Sequence, residues 1–183
     1  MRKFIQILIL VLLTGCGIFA LREAEEPEKP PLWNNFYTTW ELALKNLEYG
    51  YEDERNLTKF GEMLTSDFRF YFAPQDVNDY NISGIWTRDN ERDMLYNLHS
   101  VADSVLLELM TIPEQNDDVQ STPIKLYRRY VLTIKKDLTV RTYVGRMELQ
   151  MRQENGFWRI VKWYDYREAT PFTWGKMKYD YSV

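Results

Sequence analysis

The chain has 183 residues, 45% of them hydrophobic, which is enough for one average domain with one core once a short leader is set aside. Its single cysteine, Cys16, excludes an internal disulfide and a Cys-rich zinc site. The net charge of −4 comes without the basic stripe that a phosphate backbone requires, which argues against nucleic acid as a partner.

Arg2 and Lys3 precede the apolar run of residues 4–13, the charged and apolar regions of a secretory signal. Leu13-Thr14-Gly15-Cys16 follows and resembles a bacterial lipobox. The resemblance implies that residues 1–15 are a signal peptide and that Cys16 is lipidated, becoming the first residue of a cell-envelope lipoprotein held to a membrane. Gly17 stands where an aspartate would retain an enteric lipoprotein in the inner membrane, which implies the outer membrane, facing the periplasm. In the alternative, apolar character continues through Ile18, Phe19, Ala20 and Leu21, so that residues 4–21 are just long enough for an uncleaved transmembrane helix. Either arrangement puts the remainder outside the cytoplasm. Residues 16–32, with a charged and Pro-rich run at 22–31, read as the lipidated cysteine and an extended tether. The folded domain is expected over residues 33–183.

Within it, Trp33, Phe36, Tyr37, Trp40, Leu44 and Leu47 follow the stripe of an amphipathic helix that Gly50 ends. Asn56 can cap a shorter helix with Leu57, Phe60, Met63 and Leu64 inward. Residues 67–73 alternate, placing Phe68, Phe70 and Phe72 on one face of a strand until Pro74 breaks it. Residues 75–85, rich in Asn, Asp, Ser and Gly, read as a loop, and Thr87 caps a third helix with Met94, Leu95, Leu98 and Val101 inward. Strands follow at 104–112, 124–135, 139–153 and 157–167. The last two are joined at Asn155-Gly156, the pair that best tolerates the positive φ angles of a two-residue type I′ hairpin. A tail from Thr170 carries Phe172, Trp174 and Tyr179 and can either fold back over the sheet or leave an aromatic face for a partner.

This order predicts an α+β cone, three N-terminal helices packed on a curved antiparallel sheet. Leu64-Thr65-Ser66-Asp67-Phe68-Arg69-Phe70 and Asn155-Gly156-Phe157-Trp158-Arg159-Ile160 carry a resemblance, over most of residues 34–167, to the nuclear transport factor 2-like superfamily. That group includes ketosteroid isomerases, SnoaL-like polyketide cyclases, scytalone dehydratase and binding-only modules. The resemblance implies a pocket between the first helix and the concave sheet, here lined by Tyr37, Trp40, Phe70, Trp163 and Asp165, in which apolar walls tune acid/base groups. It also implies pairing through the convex face, as a weak homodimer. These motifs are structural, and a fold alone does not license a function.

No G-x-S-x-G elbow, H-E-x-x-H helix or phosphate-binding glycine loop occurs. His99, the one histidine, has Asp103 four residues on and reads either as a base oriented by a carboxylate or as a histidine at a negative helix end. Asp165 lies amid Trp163, Tyr164 and Tyr166, yet strict alternation opposes it to Trp158 and Ile160, the expected core residues. A salt bridge with Arg146 therefore competes with a pocket role. Residues 79–84 look like the front half of an EF-hand loop, but position twelve is Asn90 and Glu91 comes one residue late, so the bidentate carboxylate is missing. No metal and no cofactor is expected. Asn56-Leu57-Thr58 and Asn81-Ile82-Ser83 match glycosylation acceptors and read as chance in a bacterial chain. The combined expectation is a non-catalytic lipoprotein domain that binds an envelope protein or a small apolar ligand. The alternative is a small-molecule isomerase, cyclase or dehydratase using an acidic residue in the cone pocket.

Overall fold

The computed structural model describes residues 29–182, so the leader, Cys16 and most of the tether lie outside the described residues. Residues 31–183 form one compact unit. Its helices are α1 (Trp40–Glu52), α2 (Leu57–Met63), α3 (Pro74–Tyr80), α4 (Arg88–Val101) and α5 (Trp174–Asp180). Its strands are β1 (Leu64–Tyr71), β2 (Ile85–Trp86), β3 (Ser104–Thr111), β4 (Ile124–Lys136), β5 (Thr139–Glu154) and β6 (Phe157–Tyr166). The helices pack on a curved sheet in the order β2-β1-β6-β5-β4-β3.

The α+β cone is present, with corrections. β1 pairs with β6 in parallel, so the sheet is mixed where an antiparallel one was expected. The first helix begins at Trp40, where the Thr39 hydroxyl accepts the Leu42 N–H. The preceding segment is extended and fastened along α1 by Asn46, which accepts from the Asn34 N–H and side chain and donates to the Asn34 carbonyl. Gly50 does not end that helix. It lies inside it, and a Cβ there would come within 2.7 Å of the Phe60 ring, so it permits α1 and α2 to touch. Pro74 stops β1 as expected, but it then starts α3, since its missing N–H is one that a first helical turn leaves unbonded anyway. Val101, expected inward, is exposed.

The hairpin at Asn155-Gly156 forms as read, with φ of 53° and 83°. Phe68, Phe70 and Phe72 share the buried face with Leu107, Leu126, Leu132, Tyr143, Leu149 and Trp163. This is the concave side, which α1 and α4 cover. The outer face is left open, with Leu106, Met110 and Tyr166 exposed on it.

Strand β3 ends the sheet, and an open edge is a template for unwanted pairing. Two of its outward N–H groups are occupied from α1: Leu109 donates to Glu48 Oε1 (3.1 Å) and Leu107 to Glu52 Oε1 (3.4 Å). Replacing both carboxylates (Glu48→Ala with Glu52→Ala) is expected to open this edge and give concentration-dependent association in light scattering. A monodisperse double variant would show that the two carboxylates do not guard it.

Candidate functional site

The site is set by an irregularity in β6. On β5, Gln150 pairs with Lys162 but Met151 pairs with Ile160, so Val161 is an extra residue opposite a single step of its neighbour. A β-bulge of this kind reverses which residues face inward. Ile160 is buried before it, and Trp163 and Asp165 are buried after it, at 0% and 2% exposure. Asp165 therefore points into the concave interior, and the expected salt bridge with Arg146 is not made, because Arg146 pairs with Glu168 (3.3 Å).

Into the same interior comes the tail. After β6 the chain runs beside β5, where the Val144 N–H donates to the Phe172 carbonyl (2.8 Å), and then turns inward as α5. Thr173 caps that helix, accepting the Lys176 N–H (2.9 Å). The next two orphan N–H groups of the first turn find partners in the domain. Trp174 N–H donates to Tyr130 Oη (2.8 Å), whose hydroxyl donates to Asp165 Oδ1 (2.8 Å), and Gly175 N–H donates to Asp165 Oδ2 (2.8 Å). Thr173 also donates its hydroxyl to Asp76, a fully buried carboxylate of α3. Gly175 is required here, since a Cβ would stand 2.7 Å from Asp76 Oδ2 and 3.3 Å from Asp165 Oδ2.

The Trp174 ring, fully buried, packs edge-on to Trp163 (4.3 Å between centroids), Tyr130 (4.8 Å) and Tyr51 (5.0 Å), and its Nε1–H donates to Tyr51 Oη (3.0 Å). One turn on, Lys178 is fully buried, paired with the equally buried Glu91 of α4, and within 3.2 Å of Tyr51 Oη. Its nitrogen lies 4.2 Å from the Phe70 ring centre and 4.9 Å from that of Trp163. Burial pushes the Lys178 pKa well below the ordinary lysine range. Burial also raises the Asp165 carboxyl to about 7, with Asp76 adding in the same direction and the Gly175 N–H and Tyr130 hydroxyl opposing it. Chemically, a carboxyl that titrates near neutrality beside a phenol can hold or pass a proton, and a carboxylate among aromatic faces can hold an ammonium.

Of the residues expected in the pocket, Phe70 and Trp163 pack together (5.5 Å), and Asp165 joins them through Tyr130 and Trp174. Tyr37 and Trp40 do not join this cluster. Tyr37 packs on Phe157 (5.0 Å) at the start of β6, and Trp40 lies beneath the Arg128 guanidinium (5.7 Å). His99 is half-buried on α4, next to a surface pocket of about 440 Å³ shared with Glu54, Arg55 and Tyr96, and burial lowers its pKa. Asp103 opens the β3–β4 pairing through its N–H to the Lys135 carbonyl. The calcium-like segment starts in the last two residues of α3 and continues through Asn81, the left-handed cap of that helix, into the loop before β2, with Asp79 paired to Arg167, and no metal-binding cluster occurs among the described residues. Cys16 lies outside the described residues. Sequence reasoning missed Tyr51, Asp76, Glu91, Tyr130 and Lys178. The one available signal was Trp174, Met177 and Lys178 at i, i+3, i+4, in which a lysine hides the third buried position.

No protein-family model matches the chain, and no curated protein matches it. Solved structures do. A candidate scytalone dehydratase from Novosphingobium aromaticivorans is similar at 13% identity with a TM-score of 0.57, over 74% of this chain and 91% of that one. A nuclear transport factor 2-like superfamily protein from Salmonella enterica is similar at 16% identity and TM-score 0.52, over 70% and 87%. The beta subunit of benzoate 1,2-dioxygenase from Burkholderia mallei is similar at 13% identity and TM-score 0.56, over 70% and 88%. At these identities the likeness shows the fold alone, and that fold is nuclear transport factor 2-like.

Two outcomes follow from the buried contacts. Gly175→Ala is expected to overpack the junction and cost about 1–3 kcal/mol in urea unfolding, whereas an unchanged midpoint would mean that α5 is not seated on Asp76 and Asp165. Asp165 binds its proton more tightly folded than unfolded. The stability this contributes is full below pH ~4 and is lost as pH rises through about 7. Unfolding at a series of pH values should show a decline on the order of 2–4 kcal/mol between those limits that Asp165→Asn largely removes, leaving the smaller same-sign slopes of Asp76 and Glu52 and the opposite-sign slopes of His99 and Lys178.

Proposed function

We propose that this nuclear transport factor 2-like chain is a bacterial envelope lipoprotein, held to the outer membrane through lipidated Cys16 and a short tether, whose cone domain works by binding. The observation that carries the reading is α5, which fills the space between α1 and the concave sheet with Trp174, Met177 and Lys178 and leaves no room beside Asp165 for a substrate. A partner then meets the outer sheet face, where Leu106 and Met110 are exposed on β3 and Met110 lies in register, through Arg129 and Arg146, with the exposed Tyr166 of β6. That partner is another envelope protein or a second copy of the chain in a weak homodimer. A small apolar ligand enters only when α5 lifts.

A second reading is favoured by one observation, the Asp165 carboxyl raised to about 7 beside Tyr130. It is a small-molecule isomerase, cyclase or dehydratase in which Asp165 is the acid/base group. The fold of a candidate scytalone dehydratase is consistent with it.

The anchor is tested by Cys16→Ser, which should abolish incorporation of labelled palmitate and leave the precursor uncut. A native chain that begins at Met1 with Cys16 unmodified would replace the lipid anchor with a transmembrane helix. The outer face is tested by Leu106→Lys with Met110→Lys, expected to weaken self-association or partner capture at least ~10-fold, as interface hot spots do, with the thermal midpoint little moved. Unaltered association would direct the search for the partner elsewhere.

A further inference from the structure

Apart from the Trp174 ring of the tail itself (5.9 Å), the groups around the Lys178 nitrogen come from four other parts of the domain: Tyr51 of α1, Phe70 of β1, Glu91 of α4 and Trp163 of β6. Without α5 these would leave aromatic faces and a carboxylate in one apolar recess, with Glu91 lacking its ammonium. Such an arrangement recognises a cation by charge and by ring quadrupoles together. A buried ion pair is a poor way to gain stability, since desolvation of the two charges offsets most of their attraction. Its presence is better accounted for by a recess that selects an ammonium than by the needs of the core.

The tail that fills this recess follows a connecting segment, residues 167–173, outside any helix or strand. A helix of seven residues has little stability apart from its docking. It can therefore leave without disturbing strand pairing in the sheet.

We infer that the concave interior is a binding site for a primary organic ammonium with an apolar body, a site that Lys178 occupies in cis and that such an amine takes when α5 lifts. A primary nitrogen has the N–H groups to donate at once to Glu91 and to Tyr51 Oη, as Lys178 does. The apolar body takes the place of the Trp174 ring against Trp163, Tyr130 and Tyr51. This rests on reading the domain as a binding module and names the ligand class of its interior.

Lys178→Ala in the full chain empties the ammonium seat. Adding n-butylammonium chloride should then raise the unfolding midpoint saturably, by about 4 °C at ten times Kd, while equal sodium chloride does not. Lys178→Ala combined with Glu91→Gln should not respond. If Lys178→Ala does not fold alone, its refolding from urea is read instead, and recovery that requires the amine supports the site. A variant that neither gains stability nor refolds with the amine, or that gains equally from sodium, overturns it. In the unaltered chain, 2-phenylethylammonium should speed hydrogen exchange at the α5 amides while leaving β4 and β5 unchanged, and unmoved α5 exchange overturns the claim that the site opens to an outside ligand. Loss of the lipid anchor in the Cys16 experiment would leave all of these results as they are, so the two failures are distinguishable.

Discussion

The interior of this domain depends on Val161, the one residue by which β6 outruns β5. Without that bulge, the parity that buries Ile160 would send Trp163 and Asp165 to the outer face, and the concave side would lose the ring and the carboxylate that receive the tail. With it, β6 serves two purposes along one strand. Its first half closes the base of the cone with Ile160, and its second half presents a hydrogen-bond acceptor to an incoming helix. The seat for α5 is thus encoded in a local register shift and not in any sequence motif.

That origin explains what could be read from the chain and what could not. Strands β3 to β6, the Asn155-Gly156 turn and the phenylalanine face of β1 were legible because period-2 alternation and turn chemistry are local properties. Asp165 was noticed but turned the wrong way, since a strict alternation carries parity past a bulge that it cannot see. Two of the three seven-residue helices, α3 and α5, were missed for different reasons. In α3 the polar run Gln75, Asp76, Asn78 and Asp79 has loop composition, and only Pro74 at its first position marks a start. In α5 the buried stripe ends in a lysine, and a charged residue in a core position is identifiable only when its partner Glu91, far away in the sequence, is brought beside it. The early start given to α1 has a similar cause. Trp33, Phe36 and Tyr37 keep the helical spacing, but Thr39 caps the helix and Asn46 ties the residues before it into an extended path.

The energetics of the docked tail pull in opposite directions. Full burial of Trp174 is worth roughly 3–5 kcal/mol by comparison with large-to-small core replacements, and each amide bond to Tyr130 or Asp165 adds about 1 kcal/mol net. Against this stand two ionisable groups that burial disfavours in their charged forms. Asp165, raised to about 7, resists ionisation, and Lys178, lowered by burial, resists protonation. Their linkages have opposite signs. Docking loses the Asp165 contribution as pH rises through about 7, whereas the Lys178 penalty is heaviest below its depressed pKa and fades as pH rises toward the ordinary lysine value. At neutrality the Asp165 contribution is mostly lost and the Lys178 penalty is present, so α5 belongs to the low-stability end of the molecule even though its side chains are among the most buried.

A loosely held plug bears directly on the choice between binding and catalysis. The cause that raises Asp165 is chiefly its removal from water, in an interior where α5 sets the Gly175 N–H on its carboxylate. In the closed state the carboxyl is tuned but its neighbourhood is occupied by Gly175, Trp174 and Tyr130. In the open state there is room, but water reaches the carboxyl and returns it toward an ordinary acid. A net docking free energy of about 3 kcal/mol would leave the open form near 1% populated, enough for a ligand that binds there to shift the equilibrium. It is not enough for rapid turnover unless the substrate excludes water as completely as the helix does. An amine that seats its nitrogen on Glu91 needs no such tuning, because the carboxylate it meets is wanted in its charged form. The same tail thus closes both places, Asp165 through the Gly175 N–H and Glu91 through Lys178, and any use of the interior begins with its lifting.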